Sequence, residues 1–204
     1  MHDATSLTKA FSLDGRTAVV TGAGSGIGQA SAAALAAAGA AVYCADIDGS
    51  SAAATAAAIV ASGGSAVGLA VDVARRAEVE GLIARAVADT GRLDIQCNVA
   101  GRMSESKVLD ITDDDLDVMF QVNLRGVLYG CQAAGRFMKD HGGAIACSWG
   151  YGISPSSTQS ATNAIWSALA AGLKEGLLDT SIPFGGVDRT ASAFAAKEAK
   201  CDSI

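Results

Sequence analysis

The sequence predicts an α/β fold, a doubly wound parallel sheet covered by helices on both faces, and three observations carry that prediction. From residue 16 to residue 148 short apolar runs alternate with longer helical stretches, the order that parallel strands joined by crossover helices produce. The short runs are almost continuously apolar rather than alternating, as strands buried on both faces require. Glycines follow the helical stretches, where a left-handed residue ends a helix at little cost. At 204 residues the chain fits one domain, 1–204.

The elements follow in order. A first strand at 17–22, TAVVTG, leads into a helix at Gly26–Ala38 that Gly39 closes. A second strand, AAVYCAD at 40–46, precedes a helix at Ser50–Ser62, whose alanine-rich stretch Ala52–Ala58 reads as helix because alanine is the best helix former. The third strand is SAVGLAVDV at 65–73, followed by a helix at Ala74–Thr90 and Gly91. The fourth is LDIQCNVA at 93–100. Thr112-Asp113-Asp114-Asp115 then combines a capping hydroxyl with carboxylates in a first turn, where the helix dipole favours negative charge, and opens a helix at Asp113–Lys139. A fifth strand, GAIACS, lies at 143–148. Ala161, Ala164, Ile165, Ala168, Leu169 and Leu173 recur at helical spacing and predict a helix over Ser160–Leu178. From Asp179 onward only an alanine-rich segment, Thr190–Lys200, has helical character.

Composition excludes several function classes. Fifteen Lys and Arg against 21 Asp and Glu give a net charge of −6, with no basic cluster to neutralise phosphates, so no nucleic-acid partner is expected. No apolar run is long enough for a membrane span, and the first residues lack a charged start followed by an apolar stretch, so a cytoplasmic protein is expected. Cys44, Cys97, Cys131, Cys147 and Cys201 form no C-x-x-C pair, which predicts reduced thiols. Three of them, in VYCAD, IQCNV and IACSW, read as small buried hydrophobes. His2 and His141 have no partner at ligand spacing, and no metal site is expected.

The chemistry begins at the first strand–helix junction. Thr21-Gly22-Ala23-Gly24-Ser25-Gly26-Ile27-Gly28 follows a strand and opens a helix. Glycine there lets the backbone turn tightly and approach a pyrophosphate, whose charge meets the free N–H groups and dipole of the helix. Asp46 ends the second strand, where a carboxylate accepts hydrogen bonds from a ribose 2′-hydroxyl and repels a 2′-phosphate. The pair predicts NAD as cofactor. The competing reading is a glycine turn that packs without ligand and a solvated Asp.

These residues resemble the short-chain dehydrogenase/reductase family. The family's T-G-x-x-x-G-I-G is matched by Thr21, Gly22, Gly26, Ile27 and Gly28. Asp72-Val73 resembles its adenine-contacting pair, and Asn98-Val99-Ala100-Gly101 its N-N-A-G element with one substitution. Val122-Asn123-Leu124 with Gly126 resembles the segment carrying its structural and catalytic Asn. The resemblance covers residues 16–148 and implies a Rossmann sheet. It also implies hydride transfer between NAD and a small alcohol or ketone, and a homo-oligomer assembled through the helices starting near Asp113 and Ser160.

The catalytic half departs from the family pattern. The family uses a Tyr as general acid or base, a Lys four residues later that lowers the Tyr pKa, and a Ser thirteen residues before the Tyr. A phenol with pKa about 10 is no base at neutral pH unless a cation favours its anion. Alignment puts Trp149, Thr162 and Trp166 at the Ser, Tyr and Lys positions, and no Y-x-x-x-K occurs in the chain. Of the four catalytic positions Asn123 alone keeps its residue. Ser148, one step from the Ser position, and Tyr151, in the following loop, are the neighbouring candidates. Lys174 is about 12 Å too far along a helix. Gly176 to Thr180 resembles the family's P-G-x-x-x-T segment beside the nicotinamide, without its Pro, which makes Thr180 a cofactor candidate; the family's sixth and seventh strands are not evident. Two further readings stay open: a catalytically silent dinucleotide-binding protein, and an altered gene product.

Overall fold

In a computed structural model, the described residues are 12–148 apart from Glu105 and Val108. The helix expected at Ser160–Leu178 and the segment Thr190–Lys200 lie outside them. The order is β1 (Thr17–Thr21), α1 (Gly26–Ala37), β2 (Ala41–Asp46), α2 (Gly49–Ala61), β3 (Ser65–Ala70), α3 (Arg76–Thr90), β4 (Ile95–Asn98), α4 (Asp113–Phe120), a π-helical segment (Gln121–Gly126), α5 (Val127–His141) and β5 (Ala144–Cys147). All five strands pair in parallel in the order β3-β2-β1-β4-β5. The predicted doubly wound sheet is therefore present. Its order reverses between β1 and β4, the point at which open α/β sheets leave a crevice beyond their strand ends.

The sheet separates two apolar cores. On one face Ala32, Leu35 and Ala36 of α1 with Ala56 and Ile59 of α2 cover Ala18, Val20, Val42, Cys44, Ile95 and Cys97. On the other, Val79, Leu82, Ile83 and Ala86 of α3 with Ala133, Ala134 and Met138 of α5 cover Val19, Tyr43 and Ala45. Successive residues of β1 point to opposite cores, as the period of two along a strand demands. Both β1 and β4 are buried throughout.

Burial on both faces fails at β3, where Ser65, Val67 and Ala70 are exposed. Among the described residues β3 pairs with β2 alone, so one flank is open, and its apolar residues are partly solvated. Packing of α2 against β3 is nonetheless close, since a Cβ on Gly68 would meet the backbone of Ala52 and Ala53. Small residues on both sides make that approach possible.

Helix ends follow local chemistry. Thr112 Oγ1 accepts from the Asp115 N–H at 3.2 Å, and the Asp115 carboxylate accepts from the Thr112 N–H at 3.1 Å, a reciprocal cap at the predicted position. The Asp48 carboxylate accepts from the N–H groups of Ser50 and Ser51 at 2.9 and 3.4 Å, so α2 starts one residue earlier than predicted. Bonds from the Ser50 and Ser51 hydroxyls, with those from the two N–H groups, lower the Asp48 pKa to about 2. The helix expected unbroken over Asp113–Lys139 is interrupted by the π-helical segment. β3 and β4 stop short of their predicted ends because Val71–Val73 and Val99 onward leave the sheet to wall a cleft. Among the described residues no helix is long and apolar enough to cross a membrane.

Candidate functional site

A cleft of about 530 Å³ opens beyond the carboxyl ends of the strands. Its walls are Gly22 and Ser25–Gly28 of the glycine loop, Asp46 and Ile47 after β2, Val71, Asp72 and Val73 after β3, Val99 to Met103 after β4, Val122, and Ser148 after β5. Ten of these are cofactor contacts expected from the sequence, Gly22, Ser25, Gly26, Ile27, Gly28, Asp46, Asp72, Val73, Ala100 and Gly101; Ser148 joins them as a catalytic candidate.

The glycine loop is as tight as its composition requires. Gly22 has φ 71°, and a Cβ there would stand 2.8 Å from the backbone of Ala100. A Cβ on Gly28 would collide with the Gly22 carbonyl, so the first turn of α1 rests directly on the loop. Ser25 precedes α1 in an extended conformation, with no side-chain cap hydrogen bond and no acidic residue in the first turn. The N–H groups and positive dipole end of α1 thus meet no side-chain counter-charge of their own, the arrangement that accepts an anion.

Asp46 is held by the same loop. Its Oδ2 accepts from the Gly24 N–H at 2.9 Å and its Oδ1 from the Asp48 N–H at 3.1 Å. The carboxylate keeps lone pairs free for further hydrogen-bond donors. Ile47, 74% exposed, follows it into the cleft as an apolar platform. Asp72 accepts from the Ala74 N–H at 2.9 Å and pairs with Arg75 at 3.4 Å, while its own N–H donates to Glu78 at 2.7 Å.

Four candidates stand behind the walls rather than in them. Gly24 is tied to Asp46 and is not part of the lining. Thr21 Oγ1 accepts from the N–H groups of Val99 and Ala100 at 3.2 and 3.4 Å and donates to the Cys97 carbonyl at 3.4 Å, bracing β1 against the end of β4. Asn98 is 2% exposed; its Oδ1 accepts from Gln96 Nε2 at 2.8 Å and its Nδ2 donates to Cys131 and Cys147. Asn123, inside the π-helical segment, clamps one residue: its Oδ1 accepts from the Arg102 N–H at 2.7 Å and its Nδ2 donates to the Arg102 carbonyl at 2.8 Å. A widened helical turn is a recurrent way to re-aim a side chain at a functional site. Here it fixes the strip Gly101–Met103 that walls the cleft. Tyr151 and Thr180, like Trp149, Thr162, Trp166 and Lys174, lie outside the described residues.

Sequence reasoning missed Ile47, Val71, Val99, Arg102, Met103 and Val122. A signal existed for Ile47, an apolar residue directly after a strand-ending Asp, and for Val99 and Val122, which stand inside the family motifs without a role of their own; Val71, Arg102 and Met103 lie in stretches read as strand or loop.

The family model described as short chain dehydrogenase matches residues 16–165. The chain is 37% identical over 131 residues to 3beta-hydroxysteroid dehydrogenase 2 of Eggerthella lenta, covering 64% of this chain and 50% of that protein. It is 37% identical over 133 residues to D-threitol dehydrogenase of Mycolicibacterium smegmatis, covering 65% and 51%. With an uncharacterized oxidoreductase of Staphylococcus aureus it shares 38% identity over 191 residues, 89% of this chain and 82% of that one. The chain spans about half the length of the first two relatives. Among solved structures, a short-chain type dehydrogenase/reductase from Mycobacterium marinum superposes with TM-score 0.65 at 30% identity, covering 77% of this chain and 65% of that one. A 7 alpha-hydroxysteroid dehydrogenase complexed with NADH and 7-oxo glycochenodeoxycholic acid gives TM-score 0.65 at 28% identity, covering 78% and 64%.

Proposed function

Because this chain belongs to the short-chain dehydrogenase/reductase family, we propose that its cleft binds NAD(H) and serves oxidation or reduction of a small secondary alcohol or ketone. The observation that carries this reading is the pairing, across one cleft, of an uncapped, acid-free helix start behind a glycine loop with the Asp46 carboxylate. In this assignment Gly22 to Gly28 and the N-terminus of α1 hold the pyrophosphate. Asp46 takes the adenosine ribose, and Ile47, Asp72 and Val73 surround the adenine. Ala100 and Gly101 lie towards the nicotinamide, which supplies or accepts the hydride when bound. The negative charge of Asp46 is the reason to favour NAD over NADP, since a 2′-phosphate would face it at close range.

Asn123 positions the Arg102 backbone, and Ser148 offers a hydroxyl at the cleft to a substrate oxygen. Two relatives carry names of dehydrogenases acting on hydroxyl groups, a hydroxysteroid and a sugar alcohol, which supports an alcohol or ketone substrate. A second reading, binding without turnover, is favoured by Thr162 and Trp166 at the positions aligned with the family's Tyr and Lys.

The proposed protein is a cytoplasmic homo-oligomer. Leu116, Val118, Phe120, Leu124 and Leu128, between 37% and 58% exposed, place apolar surface on the helical path from α4 to α5, which supports pairing there. Light scattering should return a dimer or larger; a monomer overturns the assembly.

Calorimetric titration with NADH and, separately, NADPH tests the cofactor. Micromolar NADH binding with much weaker NADPH binding is expected, and binding of neither overturns the proposal. Reduction of a panel of ketones by the NADH-saturated protein then separates turnover from silent binding.

A further inference from the structure

Cys147 ends β5 and Cys131 lies in the second turn of α5, 16 residues apart in sequence, and their sulfurs stand 3.7 Å from each other. The pair is not simple apolar filling. Asn98 Nδ2 donates to both sulfurs, at 3.5 Å to Cys131 and 3.6 Å to Cys147, from a side chain that is almost wholly buried. Gln96, 0% exposed, fixes that amide by donating to Asn98 Oδ1 at 2.8 Å. Gly130 makes room for it, since a Cβ there would collide with Asn98 Oδ1. Three residues on one strand and one helix thus hold an N–H donor against two adjacent, half-buried thiols.

We propose that Cys131 and Cys147 form a redox-active dithiol that low-molecular-weight disulfides oxidise to an intramolecular disulfide. The arrangement makes the two sulfurs unequal. Either sulfur can donate across that contact; with Cys131 as the donor, its bond and the one from Asn98 outweigh burial and hold the Cys147 thiol below its ordinary value, whereas donating pushes Cys131 up. Cys147 is therefore the nucleophile and Cys131 the resolving thiol. The Cys147 thiolate attacks one sulfur of the disulfide RSSR, forming a mixed disulfide and releasing RS⁻. Cys131 gives up its proton to that RS⁻, and its sulfur attacks Cys147 Sγ and expels the second RS⁻, which takes the proton that Cys147 had released to solvent. Two thiols are oxidised, and one RSSR is reduced to two RSH. The other described cysteines are unsuited to this: burial pushes Cys44 up to about 11 and Cys97 up to about 12.

The test uses the full chain and oxidised glutathione at neutral pH, followed by alkylation and tryptic digestion without reductant. Cleavage at Arg125, Arg136, Lys139 and Lys174 leaves Cys131 on residues 126–136 and Cys147 on residues 140–174. Expected is one cross-linked pair of these peptides, lighter than their sum by two hydrogen atoms. Alkylation of both thiols as in untreated protein, or pairing confined to other cysteines, overturns the proposal. Cys131→Ser should stop at a glutathione adduct on Cys147, and Cys147→Ser should leave Cys131 unmodified; adduct formation on Cys131 in the second variant overturns the assignment of roles.

Discussion

Asp46 receives two backbone N–H groups, from Gly24 and Asp48, while its charge faces the cleft. Asp46→Asn keeps an acceptor for the loop and removes the charge. In the proposed complex this variant loses the charge-assisted bonds to ribose, about 1.5–3 kcal/mol or tenfold and more in NADH affinity, and narrows the preference over NADPH. Calorimetry on the variant reads both numbers, and an unchanged NADH affinity would sink the role given to Asp46. Residues of this kind were legible because chain order alone places a strand-ending carboxylate near a glycine loop. Thr21 and Asn98 were less so. Their positions in the motif are right, but whether a side chain at a strand end points into the cleft or back into the sheet depends on strand parity and on what stands behind it. For Asn98 what stands behind is Gln96 and two sulfurs from elements far away in the chain.

The elements differ in what holds their ends. Thr112→Ala removes the hydroxyl of the reciprocal cap on α4 and should cost about 1 kcal/mol, read as a lower denaturant midpoint with an unchanged slope. At the opposite end of the sheet Asp94 ties the start of β1 to its own loop: it accepts from the Thr17 N–H at 2.9 Å, from Arg16 at 2.8 Å and from Arg92 at 2.6 and 2.7 Å. Burial alone would raise its pKa, but Arg92, the Thr17 N–H and Arg16 outweigh that and hold it below the usual carboxylate value. A carboxyl depressed on folding adds stability that is complete above the unfolded value of about 3.9 and is lost as pH falls through the lower folded value. Asp94→Asn should therefore cost about 1.5–3 kcal/mol near neutrality, with the gap to the wild type closing in acid. A gap that stays constant in melts down to about pH 2 would contradict the ion-pair account. The caps at Thr112 and Asp48 rest on residues within three positions and could be read from sequence; only the first was. The π-helical segment could not be: no local residue pattern marks it, and the partner of its Asn123, Arg102, stands 21 residues earlier.

At the scale of the whole molecule the sheet's five strands and their helices were legible from apolar runs and glycines, since each repeats one local rule. Exposure of β3 was not, because strand order, rather than strand composition, decides which strand stands at an edge. The two cores on either side of this sheet share no side chain. Side chains projecting from opposite faces are separated by the backbone layer, a spacing at which mutational effects add. Leu35→Ala and Leu82→Ala, one in each core, should each cost about 2–5 kcal/mol and sum when combined, whereas Leu35→Ala with Val20→Ala on one face should depart from additivity. Denaturant melts of the three single and two double variants decide it, and strong coupling across the sheet would refute the partition. If the partition holds, epistasis in this protein is sorted by face: sequence drift under α1 and α2 neither constrains nor rescues drift under α3 and α5, so two histories of core substitution can accumulate on one backbone.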